Sequence, residues 1–284
     1  MIEFLCPECG DVLHKDGAWY RCSSAKHDYP IQNGVVNLIP KKPILDEPGF
    51  DYLAHYRIDA DEFDYFEERS GATEHSERRL REYITSLVPS NVSTILDVGC
   101  GSAWVAKTFL PKGKTVYSLD ASITNPGKAL TGYPSDKHVG VAADAFALPF
   151  ADNSFDCIIA AEIIEHVSEP EKFVHELHRV VKPGGVLIIS TPYKEVLKYA
   201  LCIHCNQKTP LNSHLHSFNE AKLLSYHPLK TMSPSWRIFN NKLLLFVRTH
   251  IILRYFPFSL WKVIDKLANV FYNKPVNIIV SYPK

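Results

Sequence analysis

The chain predicts an α/β fold built on a largely parallel sheet, and three features of its 284 residues carry that prediction. Apolar runs of strand length alternate with helix-like stretches through the middle of the chain. The first such run breaks at a pair of glycines, Gly99 and Gly101. The next ends on an acid, Asp120, 21 residues after Gly99, close to the ~20 of a nucleotide-binding βαβ unit. In such a unit the glycines let the backbone approach the ligand, and the acid takes ribose hydroxyls.

The elements follow in order. Ser93 to Val98 predicts a buried strand, Ala103 to Leu110 a helix, and Thr115 to Leu119 the strand that delivers Asp120. Val139 to Ala143 follows, then Asp144-Ala145-Phe146 and Leu148-Pro149-Phe150. Ser154 to Ala160 is a fourth strand, and Glu162, Glu165 and His166 stand at its carboxyl end, where open α/β sheets bind ligands. A helix is expected from Pro170 to Val181, with Ser168 as its candidate cap and Pro170 and Glu171 in its first turn. Lys182-Pro183-Gly184-Gly185 should stop it, and Val186 to Ser190 is a fifth strand. Ser235 to Phe239 and Val276 to Tyr282 complete the sheet. Upstream, Glu74 to Leu87 carries charges at helical spacing, as a solvated helix face does.

The details choose the ligand. A dinucleotide fingerprint places a third glycine where this chain has Trp104, and Asp97 would face a pyrophosphate unfavourably. An acid at the strand end suits a positively charged ligand instead. The stretch resembles motif I of class I S-adenosylmethionine-dependent methyltransferases of the type 11 group, with Asp97, Gly99 and Gly101 in place and Ala103 where the third glycine usually stands. The resemblance runs from about residue 93 to 192 and includes Lys-Pro-Gly-Gly before an apolar strand. It implies a Rossmann-like, seven-stranded sheet and S-adenosylmethionine as cofactor. It also implies binding roles for Asp97, Gly99, Gly101, Asp120, Asp144, Ala145 and Glu162, with Asp144 accepting from the adenine amine. Methyl transfer by in-line displacement needs mostly alignment and desolvation, with at most one base. His166 is the first candidate for that base or for an acceptor contact, because an ordinary histidine pKa suits the work; a core histidine is the alternative. Glu165 and Tyr193 are expected at the same pocket.

Two clusters have metal-ligand spacing. Cys6-x2-Cys9-x12-Cys22-x4-His27 can close a tetrahedron of three thiolates and an imidazole, and a segment of about 40 residues needs such a staple. Trp19-Tyr20 and Tyr29-Pro30-Ile31 predict short strands, and Gly34 a turn. This module resembles the zinc module of bacterial 23S rRNA guanine-N1 methyltransferases. It also resembles the small zinc-ribbon protein that activates several methyltransferases, through Tyr29-Pro30-Ile31 and the run from Asn33 to Pro40. Residues 1–40 are thus expected to form a zinc ribbon with its own core, 41–92 a linker and cofactor-covering helices, and 93–284 the cofactor-binding domain. The second cluster, Cys202-x2-Cys205 with His214 and His216, lies in a 193–218 loop over the acceptor side and is a possible second zinc site, with His204 competing.

Pro43, Pro48 and Gly49 mark the linker. The aromatics after it, Tyr52, His55, Tyr56, Phe63, Tyr65 and Phe66, could cover the cofactor, with a cation–π contact to the sulfonium, or pack a helix onto the sheet. Residues 241–274 are an insertion rich in Leu, Ile, Phe and Trp, where the family has a near-direct hairpin. It suits a lid over an apolar acceptor, an interfacial amphipathic piece beside Lys242, Arg248, Arg254, Lys262 and Lys266, or a structural cap.

Thirty-one basic residues balance 31 acidic ones, so no global field collects nucleic acid. The seven cysteines suit a reduced, cytoplasmic protein, and no run has the length of a membrane span or the pattern of a signal peptide. The favoured acceptor is a small or lipid-like molecule, with peripheral membrane contact possible. An rRNA base, or a non-catalytic scaffold docking protein partners, is the alternative. The sequence leaves the oligomeric state open.

Overall fold

The computed structural model describes residues 2–24, 27–42, 44–45, 51–229 and 232–284. The linker markers Pro43, Pro48 and Gly49 lie outside the described residues.

Seven strands form the expected sheet. They are β5 (Thr94–Val98), β6 (Thr115–Asp120), β7 (His138–Ala142), β8 (Phe155–Ala161), β9 (Val181–Pro192), β12 (Ser235–Asn241) and β13 (Pro275–Pro283). Their order is β7-β6-β5-β8-β9-β13-β12, with β13 antiparallel to both its neighbours. The central strands are apolar on both faces, as a sheet covered by helices on both sides requires.

The sheet does not stop at seven. β1 (Leu13–Asp16), β2 (Trp19–Cys22), β3 (Asp28–Gln32) and β4 (Val35–Asn37) extend it to eleven, with β4 running parallel to β7. An edge at β7 would leave a row of unpaired backbone groups. Val35 and Leu38 are fully buried over that edge, and the Leu38 N–H donates to the Ala142 carbonyl at 2.7 Å. The ribbon therefore has no core of its own, contrary to expectation. Phe4 meets Tyr20 edge-on at 5.1 Å and Phe150 at 5.7 Å, and the Ile2 N–H donates to the Tyr117 hydroxyl at 2.9 Å. One apolar cluster joins Phe4, Tyr20 and Tyr29 to Leu96, Tyr117 and Phe155.

Helices α1 (Tyr52–Glu62) and α2 (Gly71–Leu87) precede β5; α3 (Trp104–Phe109), α4 (Thr124–Gly132) and α5 (Pro170–Arg179) connect the parallel strands. Two boundaries differ from the sequence reading. α5 is capped by Glu169 rather than Ser168, without a side-chain cap bond, and it ends at Arg179. Lys182 to Gly185 lies inside β9, which begins at Val181. Gly184 has φ +80°, and a Cβ on Gly185 would sit 2.7 Å from the Asp156 carbonyl oxygen. The glycines thus let β9 bend close to β8 rather than ending the helix.

After β9 come β10 (Tyr199–Leu201) and β11 (Lys208–Pro210), a small hairpin, then α6 (Glu220–Ser225). The insertion forms α7 (Lys242–Phe246), α8 (His250–Leu253) and α9 (Phe258–Phe271). It packs on α2, away from the cleft. Arg79 of α2 is fully buried, donates to the Leu253 and Phe256 carbonyls at 2.6 and 2.9 Å, and lies 5.0 Å from the Trp261 ring. The lid expectation is therefore corrected: no residue of 241–274 lines the cleft.

Candidate active site

A cavity of about 750 Å³ opens at the carboxyl ends of β5, β6 and β8. Gly99 and Gly101 form its floor. Gly99 has φ +67°, and a Cβ there would meet Ile163 Cδ1 at 2.3 Å, so only glycine fits. Ala103 keeps the left-handed conformation of the glycine it replaces, with φ +54°, at a cost of about 1 kcal/mol. Glu162, also on the cavity wall, has φ +56°; strain of this kind persists where the surrounding structure over-determines a functional position.

Two carboxyls on the wall, Asp120 and Glu162, and a third that is absent from it, Asp97, set the electrostatic character of the site. Asp97 is 2% exposed, and its Oδ2 has no partner among the described residues. Burial, and then the charge of Asp120, push its pKa up to about 8. Asp120 is raised to about 6 by burial, held back by the Asn125 amide, which donates to its Oδ2 at 3.1 Å. Burial raises Glu162 to about 7; Asn277 donates to its Oε2 at 3.3 Å, while its Oε1 is unpartnered among the described residues. Carboxyls held this far above their ordinary range gain from a positive ligand. The sulfonium and amino groups of S-adenosylmethionine fit that need.

Asp144 is placed differently from the open acceptor the sequence suggests. Its Oδ1 accepts from the Phe146 N–H at 2.9 Å, and its Oδ2 accepts from the Tyr52 hydroxyl and, at 3.4 Å, from the Ile44 N–H. Asp144 and Ala145 both line the cavity, as do Tyr52, Tyr56, Phe63 and Tyr65 of the aromatic stretch. Asp59, Asn125, Asn212 and Ser213 also line it; they carry no motif, and sequence reasoning missed them.

The candidate reactive residues separate. His166 lines the cavity, its Nδ1–H donates to the Ser213 carbonyl at 3.3 Å, and its own carbonyl accepts from Tyr56 at 2.9 Å. Burial, and then His214, pull its pKa down to about 4. It is a neutral imidazole and a weak base, not the mid-range histidine expected. Glu165 is 1% exposed, lies behind the wall, and accepts from Thr191 at 2.9 Å; burial raises its pKa well above the ordinary range. Tyr193 is absent from the wall, and its hydroxyl donates to Glu220 at 2.8 Å.

The first metal set converges. Cys6 Sγ lies 3.5 Å from His27 Nδ1, and Cys9 Sγ 3.4 Å from Cys22 Sγ. These two distances are near the edges of roughly 3.5–3.8 Å that a tetrahedral zinc with bonds of ~2.0–2.3 Å needs. Cys6, Cys9 and His27 form one group of donors within 4.8 Å and Cys9, Asp11 and Cys22 another, so the four approach one another without all closing on one point. The second set does not assemble. Cys202 and Cys205 sit at the exposed tip of the β10–β11 hairpin and meet no third ligand among the described residues. His214 instead donates from Nδ1 to Glu195 at 2.5 Å, and His216 donates from Nε2 to the Ser168 carbonyl at 3.2 Å. The hairpin carries the thiols outward while the histidines face inward. Among the described residues, none of the seven cysteines forms a disulfide.

Comparison with known proteins agrees with this geometry. Residues 96–189, about a third of the chain, match the family described as a methyltransferase domain. A demethylmenaquinone methyltransferase of Renibacterium salmoninarum is 33% identical over 144 residues, 46% of this chain and 59% of the relative. A ubiquinone biosynthesis O-methyltransferase of Brucella anthropi is 32% identical over 114 residues, 38% of this chain and 45% of the relative. The chain thus spans about half the length of these relatives. Among solved structures, a Burkholderia thailandensis 1,6-didemethyltoxoflavin-N1-methyltransferase, with 1,6-didemethyltoxoflavin and S-adenosylhomocysteine bound, aligns at a TM-score of 0.51 and 15% identity. That alignment covers 92% of this chain and 96% of the other, and at such identity the likeness is one of fold.

Proposed function

We propose, from the premise that residues 96–189 are a methyltransferase domain on a class I fold, that this chain methylates a small, apolar or lipid-like acceptor at the expense of S-adenosylmethionine. The carrying observation is the cavity itself: a buried, unpartnered acid oxygen of Glu162 on a wall that is otherwise rich in aromatic and aliphatic side chains. Asp120 and Glu162 would hold the cationic cofactor, with Asp97 acting on it through its charge and Gly99 and Gly101 admitting it to the backbone. When bound, it supplies a methyl group on an excellent leaving group. The protein contributes alignment and exclusion of water: Tyr52, Tyr56 and Tyr65 cover one side, and Ala200, Pro210 and Leu211 the other. Asp144, engaged by Tyr52, positions α1 over the adenine end.

The rim favours an apolar acceptor. Leu201, Ile203 and Phe63 are exposed on the segments that border the cavity. The relatives' names, which specify demethylmenaquinone and ubiquinone biosynthesis, support a small acceptor over an rRNA base. Cys6, Cys9, Cys22 and His27 would hold zinc in a closed structural site, which leaves no position for water and so stabilises rather than catalyses. Cysteines that form no disulfide among the described residues suit a reducing compartment, and we place the chain on the cytoplasmic side. No described helix is long and apolar enough to cross a membrane. The exposed face of α7 to α9 would make peripheral contact with one.

The test is transfer of a labelled methyl group to fractionated extracts. Label should enter small lipid-soluble molecules, and Asp120→Ala should lower its entry about tenfold or more at subsaturating S-adenosylmethionine. Label confined to RNA, or no transfer with any fraction, would overturn the acceptor assignment.

A further inference from the structure

Behind the cavity wall, three side chains on two segments meet. Glu165 and His166 follow β8, and His214 comes from the loop after the β10–β11 hairpin. One ligand atom from each lies within 4.8 Å of the other two. The two imidazole rings are 4.8 Å apart at 81°.

The hydrogen bonds around them have a direction. His166 Nδ1–H donates to the Ser213 carbonyl at 3.3 Å, and His214 Nδ1–H donates to the Glu195 carboxylate at 2.5 Å. Both partners are pure acceptors, so both protons sit on Nδ1 and each Nε2 is left for a ligand. This is the outer shell that metal-ligating histidines carry: a carboxylate or carbonyl on the second ring nitrogen, fixing tautomer and orientation. Thr191 likewise orients Glu165, by donating to one carboxylate oxygen at 2.9 Å.

The charge balance points the same way. Glu165 is 1% exposed, and among the described residues neither Glu165 nor Glu195 forms an ion pair with a lysine or arginine. Glu162, three residues away, adds a further carboxyl with an unpartnered oxygen. A cation held among these groups would supply the charge that lets the buried carboxyl ionise.

We propose that Glu165, His166 and His214 form a divalent-cation site that opens into the cavity and binds an oxygen of the methyl acceptor. The set has two nitrogens and one carboxylate oxygen, and His166 stands on the cavity wall. Three protein ligands leave an open coordination position, as sites that take a substrate or water do, whereas the Cys6–His27 site is closed. Zinc bonds of ~2.0–2.2 Å need ligand edges of roughly 3.3 Å, so the ring and carboxyl atoms close by about an ångström or more on the ion. The ligand class is an acceptor with a phenolic, enolic or carboxylate oxygen. This deepens the methyl-transfer reading and rests on it only for the acceptor. The site also accounts for the failure of Cys202 and Cys205 to recruit His214, since Glu195 and His166 hold it at the cavity.

The test is a cobalt(II) titration of the full-length, metal-stripped chain, followed by visible absorption. One equivalent should show thiolate charge transfer from Cys6, Cys9 and Cys22, and a second should show none. His214→Gln should lose the second and keep the first. Glu195→Gln should weaken the second about 10–100-fold, the usual effect of removing an outer-shell partner. A wild-type chain with no thiolate-free equivalent, or a His214→Gln chain that retains it, overturns the site. If His214→Gln does not fold, the wild-type count and Glu195→Gln decide. Calorimetry with S-adenosylhomocysteine on the same samples separates the two readings. Cofactor-product binding without the second metal leaves methyl transfer standing and removes the cation site. The reverse outcome removes the methyl-transfer reading and keeps the metal site.

Discussion

The Tyr52 hydroxyl donates to Asp144 Oδ2, joining the first turn of α1 to the loop after β7 across 92 residues. Ile44 reinforces the same oxygen, so the segment before α1 and α1 itself close over one end of the cavity through a single carboxylate. Both side chains are buried, Tyr52 at 6% and Asp144 at 1% exposure. A hydrogen bond to a charged group contributes about 1.5–3 kcal/mol. Tyr52→Phe should therefore loosen α1 and speed release of S-adenosylhomocysteine about tenfold or more, as stopped-flow fluorescence would measure. An unchanged off-rate would mean that α1 does not gate the cofactor.

Asp120→Ala should weaken S-adenosylmethionine binding at least tenfold, because it removes charge-assisted bonds worth about 1.5–3 kcal/mol each. Asn125 donates to Asp120 and is itself 2% exposed, so Asn125→Ala should give a smaller loss in the same direction. Titration calorimetry distinguishes the two. Equal affinity in wild type and Asp120→Ala would remove Asp120 from the ribose site.

The raised carboxyls set a pH dependence with a definite sign. Asp97 titrates near 8 in the folded chain against an ordinary 3.8, so between those values the folded state holds a proton that the unfolded state has lost. Its contribution to stability is complete below about pH 4 and is lost as pH rises through about 8. Glu162 and Asp120, at about 7 and 6, act in the same direction. A cationic ligand favours the ionised forms. Binding of S-adenosylmethionine at neutral pH should thus release protons, and affinity should improve between about pH 6 and about 7.5, below the range where its amino group titrates. Calorimetry in buffers of different ionisation enthalpy reads the proton count. Asp97→Asn should remove most of the release; a variant that releases as many protons as wild type would assign the effect elsewhere.

Much of this site was legible because its residues follow strand ends. Gly99, Gly101, Asp120 and Glu162 each occupy a position that hydrophobic periodicity marks, and the fold brings them together on the cavity wall without further information, while Asp97 is buried off that wall. What was not legible depends on pairing between distant segments. β4 lies in the run from Asn33 to Pro40, which the sequence assigns only to the ribbon, and the bare edge of β7 makes it the eighth strand of the sheet. Cys202 and His214 have metal-like spacing, but a hairpin turns the thiol out and Glu195 turns the imidazole in. Tyr52 belongs to an aromatic run that suggests cover, yet its bond to Asp144 depends on where the chain returns.

The shared core changes what loss of zinc should do. Phe4, Tyr20 and Cys22 belong to the cluster that includes Tyr117 and Phe155, so the ribbon is expected to melt together with the sheet. Protein purified without chelators should contain zinc in the Cys6–His27 site. Cys9→Ser should lower the melting temperature of the entire chain in one transition, with loss of S-adenosylhomocysteine binding at the new, lower temperature. A two-step melt, with the cofactor-binding transition unmoved, would show that the module is energetically separate. Elemental analysis without zinc would remove the metal.

The insertion, displaced from the cleft, presents a surface that water does not favour. Phe246 is 82% exposed, Tyr255 75%, Val270 70% and Phe271 86%. Lys242, Arg248, Arg254, Lys262, Lys266 and Lys274 are exposed among them, and the one acid of the segment, Asp265, is buried against the Asn241 N–H at 2.7 Å. A chain of zero net charge thus shows a single-sign, apolar face. Each cation near an anionic bilayer contributes about 1 kcal/mol. The chain should float with vesicles rich in phosphatidylglycerol, much less with neutral ones, and dissociate as salt rises. Lys262→Glu with Lys266→Glu should weaken binding at least tenfold through charge. Phe246→Ser with Phe271→Ser should weaken it through lost apolar burial, about 25 cal/mol per Å². If the chain stays at the bottom of the gradient with anionic vesicles, the bilayer is not its partner. Sedimentation then decides whether the face instead joins two copies, in which case Phe246→Ser with Phe271→Ser would return a dimer to the monomer.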